Sequence, residues 1–164
     1  MNIYIRLGGA ALISIGALLV SKEYEKHLKK RLEEYSGLVA LLSYAEGQIS
    51  QFLAYGSELW SGFENSALEK CGMLESLREG KSLYEAFELC SPKTSLPSSE
   101  AKEISRRLSS LGKGYLDSEL ALLRSIREQL SVLLDEESVQ AEKNVKIARA
   151  LLLGGALCAV IMAI

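Results

Sequence analysis

The stretch Leu28–Ile49, LKKRLEEYSGLVALLSYAEGQI, decides the fold class. Its apolar residues recur as Leu28, Leu32, Tyr35, Val39, Leu42 and Ile49, and the series continues to Leu53. Spacings of three and four place such residues on one face of an α-helix, whereas a half-buried strand would alternate with period two. Glu46 is the one break in the stripe. On the other face Glu25 with Lys29, Lys29 with Glu33, and Lys30 with Glu34 are spaced as i,i+4 pairs, each worth about 0.2–0.5 kcal/mol. The charge run reads as a solvated helix face.

Outward from this stretch, the same period governs the chain. Gly56 and Ser57 interrupt it. Ser66 with Glu69, and Ser82 with Glu85, fit the S-x-x-E capping box, in which each side chain satisfies the other residue's free amide. Gly80 closes one helix before Ser82 opens the next. The loop CSPKTSLPSSE, Cys90–Glu100, holds both prolines, and Ser98 or Ser99 is placed to cap a helix from Glu100 to Leu111. After the LGKGY turn, Leu116, Leu120, Leu123, Leu130, Leu134, Ala141, Val145 and Ala148 run without a breaker to the end of the chain. No strand candidate exceeds a few residues. About five helices result, and an antiparallel bundle buries their apolar faces. Trp60, Phe63, Tyr84 and Phe87 are expected in its core.

The two ends differ from the middle. Of 164 residues, 48% are hydrophobic and 24% charged, yet Leu7–Val20 and Ala150–Ile164 carry no charge. A spanning helix needs about 17–25 mostly apolar residues. Segment 3–20 supplies them if Arg6 extends its guanidinium to the headgroups, and segment 148–164 does so with Arg149 at the membrane edge. The sequence GALLVSKEYEK after the first segment offers no A-x-A-like cleavage site. Ala10, Ser14 and Ala17 in one segment, and Gly155, Ala159 and Ala163 in the other, form small-residue stripes through which two helices could pack in lipid. Lys22, Lys26, Lys29, Lys30 and Arg31 follow the first segment, and Lys143, Lys146 and Arg149 precede the second. The excess of basic residues puts the middle on the cytoplasmic side. The expected organisation is a transmembrane helix at 3–20, a cytoplasmic bundle at 21–147 and a second transmembrane helix at 148–164. The fold class is thus all-α: an antiparallel cytoplasmic helical bundle whose first and last long helices continue into N- and C-terminal transmembrane helices.

Little in the chain points to catalysis. A net charge of −2 gives no footprint for nucleic acid. EGKS, Glu79–Ser82, resembles the end of a phosphate loop, but that motif needs glycine where Glu75 stands and a strand before it. Asp135, Glu136 and Glu137 lack a histidine or a second carboxylate pair at ligand spacing, and the lone His27 sits among lysines that disfavour a cation. No Gly-x-Ser-x-Gly elbow is present. Cys71, Cys90 and Cys158 form no CxxC pair and are too few for a disulfide framework, which favours reduced thiols. Cys71 and Cys90 read as packed small hydrophobes. No enzyme, cofactor, metal or small-molecule substrate is expected.

The pieces KKRLEEYSGLVALLSYAEGQI, GKSLYEAFE, the prolyl loop, LSSLGKGYLDSELALL and EKNVKIARALLLGGAL, between the two apolar ends, resemble the stage III sporulation protein AB family in order and total length. That family is related to the F-type platform proteins of type II secretion and type IV pilus systems. Gly80–Phe87 looks like the platform segment G-x-S-L-x-x-A, and Leu111 with Gly112 like the Leu-Gly turn before the last long helix. The family often has Asp followed shortly by Gln there, whereas Asp117 is followed by Ser118, Glu119 and Leu120. The resemblance implies a non-enzymatic platform in the mother-cell membrane around the forespore, with its bundle facing the cytoplasm. It further implies partners in a secretion-type ATPase, stage III sporulation protein AA, and in other proteins of the mother cell–forespore channel, with room for homo-oligomerisation. A generic membrane-anchored helical adaptor, or a secretion or pilus platform subunit unrelated to sporulation, shares every physical feature and stays open. Because loop residues at bundle ends more often carry interaction, Gly80, Lys81, Glu85, Gly112, Lys113 and Tyr115 are the expected partner surface.

Overall fold

The computed structural model describes residues 3–52 and 56–163; within the long helices, side chains at most of positions 3–17 and 153–163 lie outside that description. Helix α1 runs Ile3–Phe52, followed by a 3₁₀ turn at Gly56–Trp60, α2 at Ser66–Lys70, α3 at Met73–Arg78 and α4 at Leu83–Cys90. A second 3₁₀ turn at Ser91–Lys93 leads to α5, Ser98–Leu108, and then to α6, Leu116–Ala163. No strand occurs among the described residues. The all-helical expectation holds, with six α-helices in place of about five because the segment from Ser66 to Arg78 is broken at Gly72. That glycine sits at φ +84°, between α2 and α3.

The chain forms two compact units. Unit 1 comprises Met1–Lys29 with Glu137–Ile164, and unit 2 is Lys30–Glu136. Both divisions fall inside the 21–147 stretch. In unit 1, Leu28 and Ala141 are buried, and Asn144 Nδ2 donates to the Tyr24 hydroxyl at 3.4 Å.

Unit 2 holds the core. Helix α1 contributes Tyr35, Leu38, Leu41, Leu42 and Ala45, which meet Leu74 and Leu77 of α3, Phe87 of α4, Ile104 and Leu108 of α5, and Leu123, Ile126 and Leu130 of α6. Tyr35, Leu41, Leu74, Leu77 and Phe87 have no exposed surface. Burying one side chain of this kind contributes about 1.5–3 kcal/mol. The buried arc of α1 differs from the predicted stripe: Leu38, Leu41 and Ala45 lie at its centre, while Leu32, Val39 and Ile49 are only half-buried. Packing of several short helices against α1 widens and turns the face it buries, a tertiary effect that periodicity does not contain. Leu53 lies outside the described residues. Trp60, Phe63 and Phe87 are core residues as expected, but Tyr84 is exposed, since the first turn of α4 presents it outward.

Two capping expectations are corrected. The N-cap of α2 is Asn65, whose Oδ1 accepts from the amides of Ala67 and Leu68, both at 3.1 Å, so Ser66 is already helical. An extended Asn65 reaches both free amides at once and leaves Ser66 no capping position. Helix α5 begins at Ser98, its N-cap is Pro97, and no side chain caps it. The Pro97 carbonyl receives the Ala101 amide at 2.9 Å, so the helix opens before either serine is in place to cap it, and it ends at Leu108 instead of Leu111.

No helix among the described residues is long and apolar enough to cross a membrane. The expected continuation of α1 and α6 into membrane spans is therefore not supported there; most side chains of 3–20 and 148–164 lie outside the description.

Candidate functional site

Two turns carry the six residues expected to form a partner surface, and each is built by local chemistry. At the end of α3 the Gly80 amide bonds the Leu77 carbonyl at 3.0 Å and the Lys81 amide bonds the Ser76 carbonyl at 3.1 Å, with Gly80 at φ +88°. This is the Schellman closure, which needs a left-handed residue after the helix. The predicted capping box then starts α4: the Ser82 amide donates to Glu85 Oε2 at 2.9 Å, and the Glu85 amide donates to Ser82 Oγ at 3.2 Å. The Ser82 amide, followed by its hydroxyl, holds the Glu85 carboxyl below the usual carboxylate range. Lys81 Nζ is paired with Glu79 Oε2 at 2.8 Å.

The second turn has an acceptor the sequence reading missed. Glu119 reaches back over the Gly112–Gly114 backbone, where Oε2 accepts from the Gly112 amide at 2.8 Å and Oε1 from Lys113 at 2.9 Å and Gly114 at 2.6 Å. Partial burial pushes the Glu119 pKa up, but the three amides together pull it below the ordinary value. The signal was a glycine pair followed by a carboxylate five to seven residues on, at the position where the family resemblance breaks. Beside this turn Tyr115 is 91% exposed, and the Lys113 side chain has no partner among the described residues.

At the prolyl loop, Lys30 Nζ donates to the Lys93 carbonyl at 3.3 Å, Arg31 pairs with Glu100 at 3.5 Å, and the Ser95 amide donates to Glu34 Oε2 at 2.6 Å. The prolyl loop is thus fastened beside Lys30–Glu34. Helix α4 runs toward that loop and α5 away from it, with Glu88 and Ser105 hydrogen-bonded between them.

Of the six predicted residues, Gly80, Gly112 and Glu85 maintain the turns and Lys81 is engaged locally. Lys113 and Tyr115 are exposed. The small-residue stripe expected for helix packing falls mostly outside the described side chains: Ala10, Ser14, Ala17, Ala159 and Ala163 belong there. Gly155 is exposed, and a Cβ added to it would meet nothing within 4 Å.

Two further carboxylates were misplaced or unexplained in the sequence. Glu34, assigned to the solvated face, is 2% exposed, with Lys30 Nζ 3.6 Å from its second oxygen. Glu46, the break in the apolar stripe, accepts from Arg124 at 2.6 Å and 2.9 Å on Oε1 and forms an ion pair with Arg127, whose Nη1 lies 2.9 Å from Oε2 without the geometry of a hydrogen bond. It ties α1 to α6 within unit 2.

Nothing in these groups assembles a nucleophile with a base. Cys71 and Cys90 are buried, their thiols donating to the carbonyls of Leu68 and Phe87 at 3.2 Å and 3.3 Å. The hydrogen bond between the two thiols, together with burial, pushes the Cys90 pKa far up, and the same bond pulls that of Cys71 down to about 7. His27 is exposed, and the described residues contain no group of three or more His, Cys, Asp or Glu side chains suited to a metal ion.

A family model described as stage III sporulation protein AB matches residues 6–164. No curated protein and no solved structure matches the chain.

Proposed function

Since the chain belongs to the stage III sporulation protein AB family, which gives it a sporulation-associated role, we propose that it acts as a non-enzymatic platform in the mother-cell membrane around the forespore. In this reading its helical unit couples a secretion-type ATPase, stage III sporulation protein AA, to the channel complex joining the two cells. The observation that carries the reading is the family match across nearly the whole chain, residues 6–164. Its physical support is the pair of internally braced turns, the second of which leaves Lys113 and Tyr115 exposed. Preordered turns lose little conformational entropy when a partner docks, which suits a mechanical contact. The anchors proposed are the apolar ends, 3–20 and 148–164, with the bundle on the cytoplasmic side.

Two experiments test the proposal. Crosslinking pull-down from sporulating cells, with the ATPase as bait, is expected to recover this protein, and Lys113→Glu with Tyr115→Ala is expected to reduce recovery several-fold. Recovery of neither this protein nor other channel proteins would overturn the platform reading, while undiminished recovery of the double variant would overturn the contact surface. Membrane fractionation addresses the anchors: the protein is expected to resist carbonate extraction, and release by carbonate or high salt removes them.

A further inference from the structure

Helices α5 and α6 do not close on one another along their whole length within unit 2. Between them lies a groove of about 620 Å³. Its apolar lining comes from Ile104 of α5 and from Ile126, Leu130 and Leu133 of α6, and Val132, 55% exposed, stands at its lip. On α6 the lining extends from Ser125 to Glu136, twelve residues, or about 18 Å at 1.5 Å per residue. That is the length of roughly three helical turns. The groove is therefore long and apolar, a form that accepts the apolar stripe of a helix at i, i+3, i+4 and i+7.

The rim determines the charge of the occupant. Glu100 and Glu103 stand on the α5 side, and Glu128 and Glu136 on the α6 side. Arg107 is the one basic residue in the lining, and it is already bound to Glu103, which also holds Arg106. These two arginines, Arg106 first, keep the Glu103 carboxyl ionised, at about 2. Glu128 lies 4.0 Å from Arg127 and also feels the charge of Arg124, and Glu136 has no partner among the described residues. On the α5 side Glu100 is paired with Arg31 and Glu103 with two arginines, so the charge open to a visitor lies on α6, where an apolar floor beside exposed carboxylates complements a helix whose apolar stripe is flanked by Lys or Arg.

We infer that the α5–α6 groove is a docking site for a basic amphipathic helix of a partner protein. The inference does not rest on the family reading, and the groove is distinct from the turns at Gly80–Glu85 and Gly112–Tyr115. A helix held there would cover Val132 and bring cations to both Glu128 and Glu136. The contact would weaken with salt, because these rim charges face solvent.

The test uses the full-length chain in a neutral detergent and two fluorescent eighteen-residue helical peptides: one with a leucine stripe flanked by lysines, the other with glutamates in place of the lysines. Anisotropy titration is expected to show the lysine peptide binding at least tenfold more tightly. Glu128→Lys with Glu136→Lys should weaken it at least tenfold, and Val132→Asp at least threefold. Glu58→Lys with Glu64→Lys, an equal charge change at exposed positions outside the groove, should leave binding unchanged. A photo-crosslinker on the peptide should mark α5 and α6 of the unsubstituted chain, a result independent of whether any variant folds. The inference fails if both peptides bind equally, if the distant charge pair weakens binding as much as the groove pair, or if the crosslinks lie elsewhere. It also fails if sedimentation shows that Glu128→Lys with Glu136→Lys abolishes self-association, because the occupant is then a second copy of this chain.

Discussion

Glu119 illustrates how one side chain can organise a turn that lacks regular structure. Three consecutive amides that would otherwise depend on water converge on its carboxylate, and each hydrogen bond of this charge-assisted kind contributes about 1.5–3 kcal/mol before the cost of ordering is set against it. Because the folded pKa lies below the unfolded value of about 4.3, the stabilisation is complete above that value and is lost as pH falls through the folded pKa. Denaturant titration at pH 6 and pH 3 is expected to show Glu119→Gln destabilised by about 1 kcal/mol at pH 6, with the difference from the unsubstituted chain shrinking at pH 3. An equal deficit at both pH values would contradict the assignment. Gly37 makes a second prediction at this scale: a Cβ there would come within 2.8 Å of Asn65 Oδ1 and 3.1 Å of Leu68 Cγ. Gly37→Ala is expected to lower stability by about 1–3 kcal/mol, the usual range for overpacking, even though alanine favours the helix. A melting temperature unchanged or raised would show that α2 can move aside.

At the scale of the element, local signals were legible and borrowed ones were not. The capping box of Ser82 and Glu85 lies within one turn of chain, so four residues of sequence specify it fully. At α2 a neighbouring Ser66 imitated the motif, while Asn65, one residue earlier, had the extended backbone that a cap requires. Asn65→Ala is expected to cost about 1 kcal/mol in a denaturant melt, against a few tenths for Ser66→Ala. The reverse order would restore the serine cap. Helix α5 shows a further limit, since its first residue is set by the Pro97 backbone and no side-chain pattern announces it. The two turns that hold the six expected residues were legible, because Gly80 and Gly112, found at positive φ, mark chain reversals. The position of the prolyl loop was not legible, because its fastening involves residues more than sixty positions apart.

Across unit 2 as a whole, the charges absent from a simple amphipathic pattern join distant parts of the chain. Glu46 with Arg124 and Arg127 spans 78 residues and more of sequence, and no periodicity argument reaches that far. The irregularity was visible as a single acidic residue in an apolar stripe; its partners were not. A double-mutant cycle on Glu46→Ala and Arg127→Ala is expected to give a coupling of about 1 kcal/mol, the upper end for partly exposed pairs, that declines in high salt. No coupling at low salt would show the pair to be incidental. Glu34 works on the same scale, as a buried carboxylate that holds the amide of Ser95 and so fixes where the prolyl loop lies along α1. Since α5 leaves directly from that loop, a change at Glu34 would be felt as a sliding of α5 against its neighbours. The register of the groove, and with it the spacing between its acidic rims, is set from the concealed side of the molecule by a residue that no visiting helix could touch.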